Sequence, residues 1–152
     1  MLRLMTNWQI KNYTNISVAE LYQILRLRQE VFIIEQNCIY PDIDDKDHNA
    51  MHLLGTIDNK LIAYARLFQP DDYFQGYSSI GRVVVAKQKR GQQIGHALIK
   101  HAVHFLKTQY PHSPCKISAQ AYLMTLYQSF DFIAEGNTYL EDGIPHIAMI
   151  KI

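Results

Sequence analysis

No stretch of this chain approaches the roughly 20 consecutive apolar residues that a membrane-crossing helix needs, and residues 1–10 do not run from basic to apolar as an export signal does. The sequence therefore reads as that of a cytoplasmic protein with no membrane partner. Cysteine is scarce: Cys38 and Cys115 stand far apart, and neither sits in a CxxC pair or beside a histidine at zinc-finger spacing, which argues against a disulfide or a structural zinc. Neither sign of charge dominates, with 15 Lys+Arg against 14 Asp+Glu, so no basic face for nucleic acid is indicated. No internal repeat, low-complexity tract or Gly/Ser linker divides the 152 residues, and residues 1–152 are expected to form one domain. Of seven histidines, His48 and His52 alone stand at i, i+4 with carboxylates nearby. A polar loop running into a strand accounts for them more simply than a metal site, and no metal is expected.

What is present alternates between short apolar segments and polar turns. Residues 8–13 read as a strand. Ser17 with Glu20 three residues later makes a capping box, because the hydroxyl accepts from an otherwise orphaned backbone N–H. The helix that follows carries Val18, Leu21, Tyr22, Leu25 and Val31-Phe32 on one stripe, exposes Arg26 and Arg28, and runs to about Glu35. Residues 37–49, rich in Asp and interrupted by Pro41, are a loop. Residues 52–57 and 60–68 read as a hairpin turned by Asp58-Asn59. A second loop, 69–78, leads into 79–85, the most strand-like segment. Beyond Gly91 and Gly95, a helix repeats Ile94, Leu98, Ile99, Ala102, Phe105 and Leu106 until Pro111 stops it. A strand at 115–119, a helix at 123–130, a strand at 132–139 and a last strand at 146–152 complete an α/β, or mixed α+β, pattern of one sheet packed by helices. The last strand could pair across a two-fold axis, so monomer and homodimer both stay open.

The passage from strand to helix at 85–95 has chemical content. A strand, a glycine turn and then a helix leave several backbone N–H groups unpaired, and with the helix dipole they attract phosphate. Arg90 adds a permanent charge with forked donors, and Gly91 lets an anion approach with no Cβ in the way. The same glycines would serve a tight turn with no ligand. No Gly-Lys-Ser/Thr follows and no GxGxxG order is present, which argues against nucleotide hydrolysis and hydride transfer.

Val83-Val84-Val85 followed by Arg90-Gly91-Gln92-Gln93-Ile94-Gly95-His96-Ala97-Leu98 resembles the acetyl-CoA motif of the GNAT N-acetyltransferase superfamily, Arg/Gln-x-x-Gly-x-Gly/Ala. Arg90 and Gly95 match it, Gly91 matches the usual Arg-Gly opening, and Gln93 stands where the middle glycine is common. The resemblance implies a mixed, mostly antiparallel sheet splayed at its central strands with helices on both faces. It implies acetyl-CoA as co-substrate, with Arg90, Gly91, Gln92, Gln93, Ile94, Gly95 and His96 around the pyrophosphate. Val83, Val84 and Val85 would then lie along the pantetheine arm, and Gln120 also counts among the coenzyme-binding residues. Leu126-Tyr127-Gln128-Ser129-Phe130-Asp131-Phe132 is similar to the family's Tyr-x-x-x-Gly-Phe signature, with Asp131 in place of glycine. That match makes Tyr127 the general acid that protonates the departing thiolate.

Further blocks resemble the ElaA-type branch of that superfamily: residues 27–36, Tyr40-Pro41-Asp42-Ile43-Asp44, His52-Leu53, Gly81-Arg82-Val83-Val84-Val85, Ala119-Gln120-Ala121 and Glu141-Asp142-Gly143-Ile144-Pro145-His146. The expected reaction is direct attack, in a ternary complex, by an amine of a small molecule or peptide. A backbone N–H of Val84 or Val85 would hold the oxyanion. Glu35 and His146 are the candidates for the base. Arg28 and Arg82 would hold an anionic part of the acceptor, or else pair with the Asp-rich loop. Asp42, Asp44, Asp45 and Asp47 would instead attract a cationic acceptor, so the two readings predict opposite acceptor charge. Two rivals remain: a non-catalytic acyl-CoA-binding or sensor module, favoured by Gln93 and Asp131, and an acyl-homoserine-lactone synthase, which shares the Leu-Arg-x-x-Val-Phe pattern of residues 27–32.

Overall fold

Ser17 opens the first helix as its spacing from Glu20 dictates: Glu20 N–H donates to Ser17 Oγ at 3.1 Å, and Ser17 N–H donates back to Glu20 Oε1 at 3.3 Å. In the computed structural model, which describes residues 5–152, this helix, α1, spans Val18–Arg28 and follows strand β1, Asn7–Asn12. The helical path continues to Glu35 as expected, but over Gln29–Glu35 it widens to a π-helix, and the buried face carries Ile24, Leu27, Val31 and Phe32 while the expected stripe residues Val18 and Tyr22 are exposed. Such wide turns re-aim side chains and recur at functional sites. One expectation is corrected here: Arg28 does not face solvent but is fully buried.

The remaining elements are β2 (Met51–Ile57), β3 (Lys60–Phe68), β4 (Ser79–Val85), α2 (Ile94–Gln109), β5 (Cys115–Gln120), α3 (Met124–Gln128), β6 (Ile133–Glu141) and β7 (Ile144–Lys151). They form two antiparallel sheets, ordered β1-β2-β3-β4 and β5-β7-β6. The sheets are stitched at one end of β4 and β5. There Ser78 N–H donates to Pro114 O at 3.0 Å and Lys116 N–H donates to Ser78 O at 2.9 Å, a parallel bridge. Beyond it the two strands diverge. The mixed sheet splayed at its centre, expected from the sequence, is the fold of this chain, and helices cover both faces.

Period-2 alternation explains how one sheet feeds two cores. Leu53, Ala63, Ala65 and Leu67 pack toward α2 with Leu98, Ile99 and Ala102, while Leu54, Tyr64 and Val84 pack toward α1 with Ile24, Leu27 and Phe32. Two boundaries differ from the sequence reading. The helix expected at 123–130 is a turn at Ala121–Leu123 followed by the short α3. Strands β6 and β7 run further toward each other, closing on Asp142-Gly143, both left-handed (φ 51° and 77°) as a two-residue hairpin turn requires. Among the described residues no helix is long and apolar enough to cross a membrane.

Candidate active site

The divergence of β4 and β5 opens a cleft of about 540 Å³. Its first wall is made by β4. Tyr64 pairs with Val84 and Arg66 with Gly81, so Ala65 faces two residues, Arg82 and Val83, in a bulge where Arg82 adopts φ +49°. The bulge bends the strand away from its neighbour. Ala86 N–H donates to Ile62 O across the ladder. Because N–H groups alternate sides along a strand, Val85 N–H points the other way, into the cleft. Val85 O does so too, since it accepts from Arg90 Nε at 3.2 Å. Of the two candidates for the oxyanion donor, Val85 is therefore the one facing the open side.

The turn after β4 holds two left-handed residues. Gly91 is left-handed (φ +76°), with nothing within 4 Å of where a Cβ would stand. Gln93, at the N-cap of α2, is left-handed as well (φ 64°, ψ 14°). Its side chain makes no cap hydrogen bond, and no acidic residue occupies the first turn. The first-turn amides of α2 thus receive no hydrogen bond from the N-cap side chain, an arrangement that suits an anion. Gln93 holds the conformation that a glycine would adopt without strain. The same holds for Asp131 (φ +68°), the other position where this chain departs from the family pattern. Gly91, Gln93, Ile94 and Gly95 line the cleft, whereas Gln92 and His96 do not, and the His96 ring lies against Phe130 at 4.6 Å.

Arg90 reaches across the mouth of the cleft: Nη1 lies 2.6 Å from Glu35 Oε2, at the end of the π-helix. That hydrogen bond holds the Glu35 carboxyl below its usual range, which makes Glu35 a poor proton acceptor. Gln120 lines the cleft too, its amide exchanging two hydrogen bonds with Gln36 at 3.1 and 3.2 Å. Tyr127 is buried at the cleft wall, edge-on to Phe132 at 5.8 Å. Burial pushes its phenol above the usual value, so the proton stays on. Neither thiol is placed as a nucleophile. Cys38 Sγ donates to Asp142 O at 3.1 Å, and Cys115 is pushed up to about 12 by burial.

The far end of the cleft is held by side chains. Arg28 Nε meets Asp42 Oδ2 at 2.9 Å, its Nη1 meets Asp47 Oδ1 at 2.8 Å, and its Nη2 donates to Asp42 O at 2.9 Å. With every branch of its guanidinium engaged and no exposure, Arg28 is sealed against any acceptor; its expected role in substrate binding is corrected to pinning the loop 37–49. Arg66 grips Asp44 with both Nη atoms (2.7 and 2.8 Å) and shares Asp47 (2.9 Å). Arg66 Nε is, among the described residues, the one buried side-chain atom without a partner. Arg82 lines the cleft, yet its Nε is bound to Asp42 Oδ1 at 2.8 Å and its Nη2 to Asp44 Oδ2 at 3.4 Å. His52 is fully buried beside this network, with Nε2 donating to Asp47 O at 2.9 Å and Nδ1 accepting from the Tyr64 hydroxyl at 2.6 Å.

On the opposite wall, the register that sets Gln120 and Tyr139 on either side of His146 brings a polar chain to one face of β5-β7-β6. His146 Nδ1 lies 2.7 Å from Ile144 O, which can only accept, so Nδ1 carries the hydrogen. His146 Nε2 faces Glu141 Oε2 at 3.2 Å. Ser118 Oγ donates to Glu141 Oε1 at 3.4 Å and takes a short hydrogen bond from the Tyr139 hydroxyl. Sequence reasoning singled out His146 and missed Glu141, Ser118 and Tyr139. The Asp142-Gly143 pair, a hairpin signal, would have placed Glu141 next to His146.

A profile of the acetyltransferase (GNAT) domain matches residues 13–152. The chain is 41% identical over 149 residues to Protein ElaA of Escherichia coli strain K12, covering 97% of both sequences. The crystal structure of Escherichia coli ElaA aligns with a TM-score of 0.91 at 40% identity, over 97% of this chain and 100% of that one. A crystal structure of an acyl-CoA N-acyltransferase from Pseudomonas aeruginosa aligns equally well, with TM-score 0.91 and 37% identity over 97% and 100% of the two chains. The acyl-homoserine-lactone synthase LasI shares the fold alone, with TM-score 0.77 at 12% identity over 97% of this chain and 90% of that one.

Proposed function

The chain belongs to the GNAT acetyltransferase family, and from that premise we propose that it transfers the acetyl group of acetyl-CoA to an amine by direct attack in a ternary complex. One observation carries the reading: the cleft joins an anion-ready backbone turn to a buried, protonated phenol, Tyr127. The pyrophosphate sits on the turn 90–95 and the uncapped start of α2, where N–H groups and the helix dipole favour negative charge. The pantetheine arm runs along the free edge of β4, and the thioester oxygen receives Val85 N–H.

The attacking nitrogen must be unprotonated. His146, oriented by Ile144 O, presents Nε2 to take the proton, and Glu141 beside it shares the charge that arrives. The C–N bond forms, the oxyanion is held by Val85 N–H, and the C–S bond breaks as the thiolate takes the Tyr127 proton. Tyr127 is then reprotonated from solvent. A non-catalytic binding module has less support, because Gln93 and Asp131 both keep the left-handed backbone that glycine holds without strain.

Isothermal titration with acetyl-CoA tests the donor half, and thiol release with an amine panel tests the transfer. Absence of acetyl-CoA binding by well-folded protein would overturn the assignment. Binding without thiol release from any amine would leave the sensor module as the better account.

A further inference from the structure

Three arginines border or underlie the acceptor end of the cleft, and taken one at a time they favour an anionic acceptor. Taken together they do not. Arg28, Arg66 and Arg82 are matched by Asp42, Asp44 and Asp47 in one interlocked network. All three guanidiniums also lie over aromatic rings, Arg28 over Tyr64 at 6.0 Å, Arg66 over Phe68 at 5.1 Å and Arg82 over Tyr40 at 5.6 Å. Arg90 is engaged by Glu35. The partnerless Arg66 Nε–H belongs to a guanidinium whose charge is already matched by two carboxylates, so it suits a water or hydroxyl and gives no foothold for a second anion.

The charge left over stands on the opposite wall and is negative. The Glu141 side chain is 46% exposed, its Oε2 faces His146, and its Oε1 has only the long 3.4 Å bond from Ser118. Tyr73, 38% exposed, lines the same cleft. Its ring is buttressed by Phe68 at 5.0 Å and Phe74 at 4.8 Å. Burial and then the Glu141 charge hold its phenol above the usual range. Tyr40 and Phe68 already carry a guanidinium on their faces, and among the described residues no protein cation lies over Tyr73. An exposed carboxylate edge and an aromatic ring that carries no protein cation, lining one cleft, together suit an organic ammonium.

We propose that the acceptor is a diamine or polyamine whose second ammonium binds between Glu141 Oε1 and the Tyr73 ring while the first nitrogen meets His146 Nε2. A carboxylate at the far end of the acceptor would instead meet Glu141 and be repelled. The proposal rests on the transfer reading above for its chemistry, but its charge preference can be measured without turnover.

The test uses full-length protein saturated with CoA, titrated with 1,4-diaminobutane, butylamine and 4-aminobutyrate, alongside thiol release from acetyl-CoA with each amine. The diamine should bind at least tenfold more tightly than butylamine, with 4-aminobutyrate weakest, and kcat/KM should follow the same order wherever transfer occurs. Glu141→Gln should bring the diamine down to the butylamine level by raising its Kd, Tyr73→Leu should remove several-fold of the advantage, and Tyr73→Phe should keep it. Equal binding of diamine and butylamine, preference for 4-aminobutyrate, or a ratio unmoved by both Glu141→Gln and Tyr73→Leu would overturn the proposal. If thiol release is nil for every amine, the transfer reading fails while the three dissociation constants still decide this one.

Discussion

The two ends of the cleft are made of different material. At the coenzyme end, Gly91, Gln93, the start of α2 and the bulged edge of β4 offer backbone groups, and the site is nearly continuous in sequence, residues 82–95. At the acceptor end, the groups that matter are side chains drawn from α1, the loop 37–49, β3 and β4 on one wall and from β5, β6 and β7 on the other. On the proposed function, the backbone-built end recognises what every coenzyme A ester shares and the side-chain-built end sets which acceptor enters; the charge balance of that second end is also part of what holds the fold.

That contrast predicts that damage at the acceptor end shows first as lost stability. Arg28→Ala removes the guanidinium that pairs with Asp42 and Asp47 and should cost about 3–5 kcal/mol, as breaking a buried pair does. Arg90→Ala, at the exposed end, should leave the urea midpoint nearly unchanged. Equal midpoints for the two variants would erase the contrast.

Acid should act on the same region in two stages. Burial lowers the pKa of His52, so it is neutral in the folded chain. Its stabilising contribution is present above the unfolded value of roughly 6.5 and is lost as pH falls below that toward the folded value. Burial alone would raise Asp44 and Asp47, but hydrogen bonds from Arg66 to Asp44, and from Arg28 and Arg66 to Asp47, outweigh it and hold both low. Their contribution is present above about pH 3.9 and is lost as pH falls through their folded values. Urea midpoints measured from pH 8 to 3 should therefore show a shallow decline beginning near 6.5 and a steeper one below about 4. His52→Gln should remove the first stage and leave the second.

At the coenzyme end the effects should appear in catalysis and binding. Tyr127→Phe should lower kcat by about 100-fold, in the range for a lost general acid, with acetyl-CoA affinity kept. Unaltered turnover would take the acid role from Tyr127. Arg90→Ala should weaken acetyl-CoA binding by roughly tenfold, the loss of one charge-assisted hydrogen bond, as isothermal titration would read. The smallest effect is expected at Glu35, which competes with the coenzyme for Arg90. An exposed ion pair is worth about 0–1 kcal/mol, so Glu35→Gln should tighten acetyl-CoA binding by at most about fivefold. A weaker affinity in that variant would show that Glu35 assists the coenzyme instead.

Legibility followed the same division. Ser17 with Glu20, and Gly91 with Gly95, are signals carried within a few residues, and the structure places a capped helix start at the first and a left-handed turn into a helix without a side-chain cap at the second. Gln93 and Asp131 were visible as departures from glycine, but that both sit at left-handed φ needed coordinates. Arg28 reads as solvent-facing from its charge. Its spacing from Ile24, Val31 and Phe32 sets it on the buried face, and what lets a charge stay there is the return of Asp42 and Asp47 over the helix, which no local pattern announces. Glu141, Ser118 and Tyr139 become neighbours of one another and of His146 only through the register of three strands.

The order of strand, turn and helix, the caps and the donor-side motif follow from the sequence, because each depends on dihedral preferences and on side chains a few positions apart. Which charges cancel and which remain was settled only in three dimensions. Coulombic and desolvation energies depend on distance and burial, and here they join residues 14, 19, 22 and 40 positions apart. The count of 15 basic and 14 acidic groups carries no trace of the fact that three pairs vanish into one network while Glu141 stays open to the cleft.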